Sequence, residues 1–322
     1  MSSIQGQVGR FAPSTTGPAH PGTLLAGLLC WLDIRSRAGR LVLRLEDLDP
    51  QRCRPEWAQR MREDLLWLGL DWDEESLQSR AGAGHRDALD RLEGAGVLYP
   101  CSCSRSEIRE RGEAAPDGGW RYPNTCRERS LPAAGWRASR EPLRVRLPEG
   151  VVAPRDEGGL DLAQDPVAAL GDPVVRRRDG VAAYHLASVA DDATSRVTRV
   201  VRGRDLASTT ATQLALRSLL GLGVPAYRHH LLLLEQRGEK LAKLHGAVAA
   251  AELRRAYRAE ALCGWLATAA GLLPEPRPLT PRDLLPLFSW ERVATRDRVV
   301  SWNGKTLDLL DESATSADAS PP

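Results

Sequence analysis

Two lysines three residues apart stand out in a chain that otherwise uses arginine. Lysine occurs only at positions 240, 243 and 305, and nearly all the remaining basic residues are arginine. The ammonium group is a compact, strongly hydrated charge that arginine does not replace. A polar loop carrying lysine is commonly only solvent-exposed. The scarcity of lysine elsewhere instead favours a requirement for that group at both Lys240 and Lys243.

A second candidate site lies near the N-terminus, where a Gly/Pro-rich turn with His20 and Gly22 precedes a predicted helix. The start of a helix offers N–H groups without intrahelical partners and the positive end of the helix dipole, so it suits a phosphate. Gly22 would let a ligand approach the backbone closely. His20 would hydrogen-bond a phosphate as charge builds on it. Taken alone, a His-x-Gly turn is also compatible with a surface histidine in an ordinary loop.

Three cysteines cluster in a segment rich in Gly, Pro and Arg, at positions 101, 103 and 126. In a reducing compartment such a cluster favours a tetrahedral zinc site, in which metal binding supplies folding energy that a small apolar core cannot. The fourth ligand is not evident, because no histidine lies nearby. Three buried thiols without a metal remain the alternative. Cys30, Cys53 and Cys263 are predicted to be isolated core or surface residues.

These residues are positioned by an alternation of strands and helices. Residues 8–13 predict a short buried strand, 22–38 a helix, and the alternating leucines of 41–45 a strand. Strand, helix and strand in this order form a βαβ unit, so parallel strands with a right-handed crossover are expected. The pattern further predicts helices at 55–68, 86–93 and 210–220, strands at 174–175, 197–201 and 231–234, an apolar-and-small stretch at 181–189, and a helical region with proline interruptions at 250–310.

Composition sets broad limits on the class of protein. The chain has 322 residues, of which 42% are hydrophobic and 27% charged, as in an ordinary globular protein. No apolar run is long enough for a membrane span, and the first ten residues lack the apolar core of a signal peptide. We therefore expect a cytoplasmic protein with reduced cysteines and no membrane partner. The cluster Arg176-Arg177-Arg178 is weak support for an RNA-facing surface, since a plain solvated face is the more common explanation for such a run.

Several motifs in register resemble the glutamyl-tRNA synthetases, which are class I enzymes with a His-Ile-Gly-His signature. The matching segments are Arg10-Phe11-Ala12-Pro13-Ser14, Ala19-His20-Pro21-Gly22-Thr23, Leu43-Arg44-Leu45-Glu46-Asp47-Leu48-Asp49, Val189-Ala190-Asp191-Asp192, Val200-Val201-Arg202-Gly203-Arg204-Asp205-Leu206 and Lys240-Leu241-Ala242-Lys243. They span roughly residues 8 to 246 in the family's order, and the last stands where the family's Lys-Met-Ser-Lys-Ser loop belongs. The resemblance implies a Rossmann-type α/β catalytic domain.

The resemblance also implies a pocket for glutamate. Arg10 and Arg202 would bind carboxylates, because guanidinium groups do so bidentately, and Glu46 would bind the ammonium group. Ser14 and Tyr184 would contribute hydroxyl groups. The family's glutamate-binding segment further covers Phe11, Ala12 and Pro13. From spacing alone, Glu46 and Arg202 are also compatible with surface charges.

For ATP, with Mg²⁺, the resemblance implies a second set of residues. His20, Gly22 and Thr23 would lie at the nucleotide, and Lys243 would contact the phosphates with support from Lys240. Two of these motifs depart from the family pattern. Thr23 replaces the second histidine of the signature, and Ala242 replaces the serine of the lysine loop.

Within the family, the short glutamyl-Q tRNA(Asp) synthetases carry Cys-x-Cys followed by Tyr-x-x-x-Cys, with the tyrosine oxygen as a zinc ligand. Cys101, Cys103, Tyr122 and Cys126 match that pattern. Only about 75 residues follow Gly246, which is too few for the anticodon-reading domains of full glutamyl-tRNA synthetases. The resemblance then implies tRNA-independent activation of glutamate and its transfer to queuosine at the wobble position of tRNA(Asp). It also implies one structural Zn²⁺ ion. We expect the protein to be a monomer.

The expected segments follow from this resemblance. They are a first half of the Rossmann domain at 1–100, a zinc-binding insertion at 101–173, a second half with the lysine loop at 174–248, a short helical C-terminal extension at 249–310, and a disordered tail at 311–322.

Three other functions remain open at this point. The first is a truncated glutamyl-tRNA synthetase that charges tRNA(Glu). The second is an inactive paralogue that binds RNA, for which Thr23 and Ala242 are the sequence support. The third is a generic nucleotidyltransferase of the same fold, which would have no need for Arg10, Glu46 and Arg202.

The replacement of the loop serine predicts slowed glutamate activation rather than none. Loss of one hydroxyl contact costs about 1 kcal/mol. We therefore expect Ala242→Ser to raise the rate of glutamate-dependent ATP–pyrophosphate exchange. An exchange rate in this variant equal to that of the wild type would contradict the assigned cost.

Overall fold

The structure is a computed structural model that describes residues 6–235 and 248–310. Lys240, Ala242, Lys243 and the tail predicted at 311–322 lie outside the described residues. The strands are β1 (Val8–Phe11), β2 (Arg40–Leu45), β3 (Glu74–Leu77), β4 (Leu98–Pro100), β5 (Leu143–Val145), β6 (Val174–Arg176), β7 (Arg199–Gly203), β8 (Ala226–His230), β9 (Leu233–Glu235), β10 (Arg298–Trp302) and β11 (Leu307–Leu310). The α-helices are α1 (Pro21–Arg35), α2 (Pro55–Leu68), α3 (Gly82–Gly94), α4 (Arg105–Arg111), α5 (Pro166–Ala169), α6 (Tyr184–Thr194), α7 (Thr210–Leu219), α8 (Ala250–Ala256), α9 (Ala259–Ala269) and α10 (Pro281–Leu284).

Three sheets organise these elements. A five-stranded sheet has the order β3-β2-β1-β7-β8, and two three-stranded sheets have the orders β4-β5-β6 and β11-β10-β9. β1 and β2 are parallel, with Val8 opposite Arg40 and Phe11 opposite Leu43, and α1 connects them. The predicted βαβ unit is thereby confirmed, as is the α/β class of the fold.

The chain forms two compact units. One comprises Met1–Ser76, Val201–Arg204 and His229–Pro322, and the other comprises Leu77–Val200 and Asp205–Arg228. The strands β7 and β8 each contribute residues to both units.

In the first unit, α1 is buried along most of its length. It begins with Pro21 in the first helical position, where the missing N–H leaves no bond unmade. Leu24, Leu28 and Leu32 are fully buried. At Gly27, an added Cβ would lie 3.3 Å from side-chain atoms of both Phe11 and Leu65, so the helix packs closely against the opening strand. This packing fixes the end of α1 that follows the His20 turn.

In the second unit, the predicted insertion is built into a sheet. Its strand β5 is the central strand of β4-β5-β6, antiparallel to both neighbours. Leu143, Val145 and Leu147 are buried, as is Trp136, whose indole donates to Asp90. The apolar residues of segment 101–173 are few, but they join a core supplied by the flanking strands.

A buried polar cluster joins α3 and α6 in the same unit. Asp191 accepts a hydrogen bond from the Gln78 amide at 2.8 Å, and its other oxygen lies 2.8 Å from Nε2 of His85. All three side chains are at most 5% exposed. Since a buried carboxylate needs partners for its lone pairs, Asp191 is held by this arrangement rather than directed to solvent.

The prediction of helix with proline interruptions over 250–310 is correct for its first part and wrong for its last. The helices α8, α9 and α10 follow one another, and the last of them ends at Leu284. The chain then forms the antiparallel pair β10 and β11, with β10 parallel to β9. An Asn303-Gly304 turn joins the pair. The Asn303 side chain accepts hydrogen bonds from two following amides, and Gly304 has φ +90°.

Several strands were not predicted from the sequence: β3, β4, β5, β8, β10 and β11. In β8, burial alternates over the first four residues, with Tyr227 and His229 buried, and His230 is buried as well. The alternation has the period of a strand, but polar and aromatic residues at the inward positions hide it from a hydropathy pattern.

No helix within the described residues is both long and apolar enough to cross a bilayer.

The packing of α9 against the chain that follows it generates a prediction. An alanine Cβ at position 264 would lie 1.8 Å from the Arg277 carbonyl oxygen, which is backbone and cannot move aside cheaply. We expect Gly264→Ala to lower the free energy of unfolding by at least about 2 kcal/mol, through overpacking. Urea denaturation followed by circular dichroism measures the loss.

The matched control is Gly94→Ala at the exposed end of α3, where an added Cβ meets nothing within 4 Å. This substitution should leave stability unchanged or raise it by up to about 1 kcal/mol, because alanine favours helix. Equal losses in the two variants would show that the close approach at Gly264 has no energetic consequence.

Candidate active site and metal centre

Four consecutive strands of the large sheet carry polar residues at the predicted amino-acid site. In the order β2-β1-β7-β8, Glu46 directly follows β2, Arg10 lies on β1, Arg202 on β7 and His229 on β8. Glu46 and Arg202 lie at the carboxyl ends of their strands, which is where open α/β sheets bind ligands. The sequence predicted the first three residues and missed His229.

Arg10 is buried, at 8% exposure. Its Nη1 donates to the carbonyl oxygen of Val201 at 3.1 Å. The same carbonyl accepts from the Cys30 thiol at 3.2 Å. Burial raises the pKa of Cys30 to about 12, so this thiol is neutral and belongs to the core as predicted. Arg10 is thereby fixed to the residue that precedes Arg202.

Arg202 is also buried and is held by a histidine. Its Nε donates to Nε2 of His229 at 3.0 Å, and both residues are 6% exposed. Arginine has no acceptor, so Nε2 of His229 must provide the lone pair and the ring must be neutral at that nitrogen. This bond restrains the orientation of the guanidinium.

Glu46 is positioned by pairing beyond the end of the parallel strands. Its backbone N–H donates to Pro13, and its carbonyl accepts from the amide and the hydroxyl of Thr15. Ser14 forms an isolated parallel bridge with Glu46, and its hydroxyl lies on the exposed side. The structure therefore brings the predicted Ser14 and Glu46 together. The Arg44 Nε lies 3.9 Å from the Glu46 carboxylate, which is 17% exposed.

The His20 turn has the geometry of a helix start. His20 is the N-cap residue with extended backbone (φ −127°, ψ 170°), and its carbonyl accepts from Leu24. A Cβ added at Gly22 would lie 3.1 Å from the His20 ring. The missing side chain at position 22 therefore makes room for that ring, in addition to the predicted room for a ligand.

Other predicted residues lie around this turn. The Phe11 side chain packs in the core against Gly27, so any ligand contact from Phe11 would come from its backbone. Pro13 is buried, Ala12 is half-buried, and Thr23 is half-buried in the first turn of α1.

Tyr184 and the lysine loop belong to other parts of the chain. Tyr184 is the first residue of α6, in the second unit, and is 39% exposed. Lys240 and Lys243 lie outside the described residues. The chain that follows the lysine loop is anchored at the His20 turn, because the Ala250 amide donates to Ala19 at 2.8 Å.

The predicted metal ligands form one compact group in the second unit. The sulfur atoms of Cys101, Cys103 and Cys126 lie within 4.8 Å of one another. The Cys103 and Cys126 sulfurs are 3.6 Å apart, and the Tyr122 hydroxyl oxygen is 3.4 Å from the Cys101 sulfur. The Cys126 amide donates to that same oxygen at 2.9 Å, which fixes the phenol.

These separations fit a tetrahedral zinc ion. With Zn–S bonds of about 2.3 Å and a Zn–O bond of about 2.1 Å, tetrahedral geometry places sulfurs about 3.8 Å apart and sulfur and oxygen about 3.6 Å apart. The observed distances of 3.6 Å and 3.4 Å are close to both values. The donor set of three thiols and one phenol therefore fits a tetrahedral metal ion in the two distances that can be compared.

The protonation of the thiols differs within the group. Burial works to raise the pKa of Cys126, but hydrogen bonds from Ser102 and Cys103 outweigh it and hold that pKa at about 6. Burial and the hydrogen bond to Cys126 raise the pKa of Cys103 to about 11. By contrast, the isolated Cys263 is buried, and burial raises its pKa to about 12.

The basic cluster at 176–178 serves the fold of the second unit. Arg176 is buried, and its guanidinium donates to the carbonyl of Ser139. Arg177 forms an ion pair with Asp179 at the turn that follows. These contacts weaken the interpretation of the cluster as an RNA-facing surface.

The sequence matches a family of catalytic domains. The family described as "tRNA synthetases class I (E and Q), catalytic domain" matches residues 8–263. That range contains the strands and helices that carry both groups of site residues.

Relatives extend the match over most of the chain. A glutamyl-Q tRNA(Asp) synthetase from Nitratidesulfovibrio vulgaris is 42% identical and covers 94% of this chain and 97% of its own. The protein of the same name from Nocardia farcinica is 40% identical with the same coverage, and that from Bordetella bronchiseptica is 46% identical over 75% of this chain and 76% of its own. The chain belongs to the glutamyl-Q tRNA(Asp) synthetase family. It is accordingly a ligase of the aminoacyl-tRNA synthetase class, and the resemblance found in the sequence is confirmed.

A solved structure supports the fold of this glutamyl-Q tRNA(Asp) synthetase family member. A glutamate tRNA ligase from Elizabethkingia meningosepticum, in complex with its amino acid, matches with a TM-score of 0.77. The match covers 94% of this chain and 68% of that protein at 22% identity. The class I catalytic fold is therefore shared, in agreement with the prediction from sequence.

Proposed function

We propose that the protein activates L-glutamate with ATP, without tRNA, and transfers the glutamyl group to queuosine at the wobble position of tRNA(Asp). The observation that carries this proposal is the match to glutamyl-Q tRNA(Asp) synthetases over 97% of their length at 40–42% identity. The cage of Arg10, Glu46 and Arg202 suits the amino acid that the proposal requires.

The charges of the site complement those of glutamate. The substrate carries two carboxylates and one ammonium group, and the site offers two buried guanidinium groups and one partly buried carboxylate. Arg10 and Arg202 bind the carboxylates, and Glu46 binds the ammonium group, with Ser14 and Tyr184 as hydroxyl contacts. A neutral or basic amino acid would lack one of the two carboxylates that this pair of guanidinium groups suits.

ATP, as its Mg²⁺ complex, binds at the start of α1. Backbone N–H groups there face the phosphates, and His20 sits at the N-cap next to the turn at Gly22. Thr23 lies in the same first turn. Lys243, with Lys240, contacts the phosphates from the loop whose following residue Ala250 is tied to Ala19.

The first reaction joins the two substrates. An α-carboxylate oxygen of glutamate attacks the α-phosphorus of ATP, the bond from that phosphorus to the bridging oxygen breaks, and pyrophosphate leaves. His20 and Lys243 stabilise the negative charge that develops on the phosphoryl oxygens. Arg10 and Arg202 hold the amino acid in place, so the reacting atoms meet without a further loss of orientational freedom.

The second reaction consumes the mixed anhydride. A hydroxyl group of the cyclopentene-diol of queuosine attacks the glutamyl carbonyl carbon, AMP leaves with the electron pair, and the hydroxyl proton is released. The ribose of a tRNA 3′ end offers the same kind of cis-diol. The choice of acceptor therefore depends on how the tRNA is bound rather than on the activation chemistry.

Cys101, Cys103, Tyr122 and Cys126 would hold one Zn²⁺ ion. The ion would supply a structural cross-link between residues 101–103 at the start of the insertion and the turn at Cys126. We further propose that the protein works as a cytoplasmic monomer.

Labelled glutamate tests the acceptor. The protein is incubated with labelled glutamate, ATP and bulk tRNA that contains or lacks queuosine, and the labelled tRNA species is isolated and digested. We expect label on tRNA(Asp) at the wobble nucleoside and only when queuosine is present. Label at the 3′ end of tRNA(Glu) would identify a truncated glutamyl-tRNA synthetase instead. Absence of glutamate-dependent ATP–pyrophosphate exchange would identify an inactive paralogue.

The contact between Arg202 and His229 predicts a graded loss of glutamate binding. Arg202→Gln removes a charge-assisted contact with a carboxylate, so the KM for glutamate in ATP–pyrophosphate exchange should rise about 10- to 100-fold. His229→Ala removes only the acceptor that orients Arg202, so KM should rise by a smaller factor with kcat less affected. His229→Gln retains an acceptor oxygen and should recover part of the loss.

Arg204→Gln is the matched control for charge. Arg204 is two residues along the chain and donates to the backbone carbonyl of Thr295. Its substitution should leave the KM for glutamate unchanged. A His229→Ala variant with wild-type KM would show that the bond to Arg202 has no part in substrate binding.

A further inference from the structure

A buried arginine contacts two of the proposed zinc ligands at once. Arg144 lies on β5, at the centre of its sheet, and is 6% exposed. Its Nε donates to the sulfur of Cys101 at 3.2 Å, and its guanidinium carbon lies 3.4 Å from the centre of the Tyr122 ring. Arg144 is not predictable as a site residue from the sequence, because nothing in the spacing of an arginine 43 residues after Cys101 connects the two.

Other contacts hold the guanidinium in this position. Nη1 of Arg144 donates to the Asp172 carbonyl oxygen at 2.5 Å. The Asp172 carboxylate is itself fully buried and accepts from the Tyr99 hydroxyl, the Leu147 amide and Arg127. Arg144 therefore occupies a place that the surrounding sheet defines before any metal binds.

The Tyr122 backbone is equally constrained. Its amide donates to Leu170, and a Cβ added at Gly171 would lie 2.1 Å from the Tyr122 carbonyl oxygen. Gly171 has φ +75°, and Asn124, within the same turn as Cys126, has φ +59°. With its backbone fixed, the direction of the Tyr122 hydroxyl depends on the ring, and the guanidinium of Arg144 covers one face of that ring.

Charge gives the arginine a second role. Three thiolates and a phenolic oxygen around Zn²⁺ carry a net negative charge, and Cys101, Cys126 and Tyr122 are buried, so water screens that charge weakly. A guanidinium in direct contact with a ligand sulfur offsets it. Arg129 also interacts with Cys126, but its side chain is 42% exposed and forms an ion pair with Glu141. Of the two arginines, Arg144 is therefore the buried one.

We propose that Arg144 is a positioning residue of the metal centre. Its guanidinium orients the Cys101 sulfur through an N–H···S bond and holds the Tyr122 ring so that the phenol oxygen faces that sulfur. It would also balance the charge of the loaded site. Hydrogen-bond partners of metal ligands commonly contribute about 10- to 100-fold to metal affinity. This inference rests on the proposed zinc site.

The test measures zinc affinity by competition with a chromophoric chelator, together with the zinc content of the purified protein. We expect Arg144→Gln to lower the affinity about 10- to 100-fold. Arg144→Lys keeps a cation but loses the planar group that stacks on Tyr122 and the fork that reaches Asp172, so its affinity should fall between those of the glutamine variant and the wild type.

Arg146→Gln is the matched control. Arg146 lies two residues further along, stacks on Tyr99 at 4.9 Å and donates to the backbone carbonyls of Leu98 and Arg127, without contact to a zinc ligand. Its loss should lower the thermal stability but leave the zinc affinity within about twofold of the wild type, since only partners of the ligands tune the metal. An equal fall in affinity in the Arg146 and Arg144 variants would overturn the proposal, as would an Arg144→Gln variant with wild-type affinity.

A double-variant cycle addresses the ring contact and keeps the test decisive if Arg144→Gln folds poorly. In a Tyr122→Phe background the phenol oxygen is absent, so Arg144→Lys should lower zinc affinity by a smaller factor than it does in the wild type. The same factor in both backgrounds would overturn the positioning of Tyr122. A wild-type protein that binds no zinc would instead remove the metal centre itself, and it would leave the glutamate chemistry to be judged by the labelling experiment.

Discussion

A guanidinium group can be buried only where fixed acceptors or anions meet its N–H groups, and this requirement shapes the two candidate sites. Arg10, Arg202 and Arg144 are each less than 9% exposed. Each is held by an acceptor on the protein: a strand carbonyl, a histidine ring nitrogen, or a thiol sulfur together with a carbonyl. The cost of taking such a cation out of water is high, so the sheet around it has to be in place for the arginine to be there.

The sheet order decides which arginine can be held by which acceptor. Because β1 lies between β2 and β7, Arg10 reaches the carbonyl of Val201, and Glu46 follows the strand on the other side. Because β8 is the next neighbour of β7, His229 reaches Arg202. The residues are far apart in sequence, and adjacency of strands brings them together. Contacts of this kind orient the two cations in advance, which would reduce the ordering of side chains needed to bind the proposed anionic substrate.

The local elements and motifs could be predicted from the sequence, whereas contacts between distant segments could not. The periodicity of 55–68 gave the bounds of α2 to the residue, and the opening βαβ unit followed from alternating leucines and a helical stripe. Glycine and proline residues indicated the position of the turn that precedes α1. β8 was missed because its inward residues are Tyr227 and His229, and the final hairpin because an Asn-Gly turn was not weighed against a helical pattern. His229 and Arg144 carry no spacing signal, since their partners lie on other strands.

Abundant arginine is therefore informative only once burial is known. The run Arg176-Arg177-Arg178 is the most conspicuous basic cluster in the sequence. In the structure, however, Arg176 donates to the Ser139 carbonyl and Arg177 forms an ion pair with Asp179. Arg144, which is not part of a run of consecutive basic residues, contacts a thiol and an aromatic ring at the same time. Lysine could satisfy the charge at such a position, but its single ammonium group has neither the flat face for Tyr122 nor the spread of donors that joins Cys101 to Asp172. The preference for arginine in this chain thus meets a geometric need at a few buried positions: Arg10 and Arg202 on the five-stranded sheet, and Arg144 on the sheet β4-β5-β6.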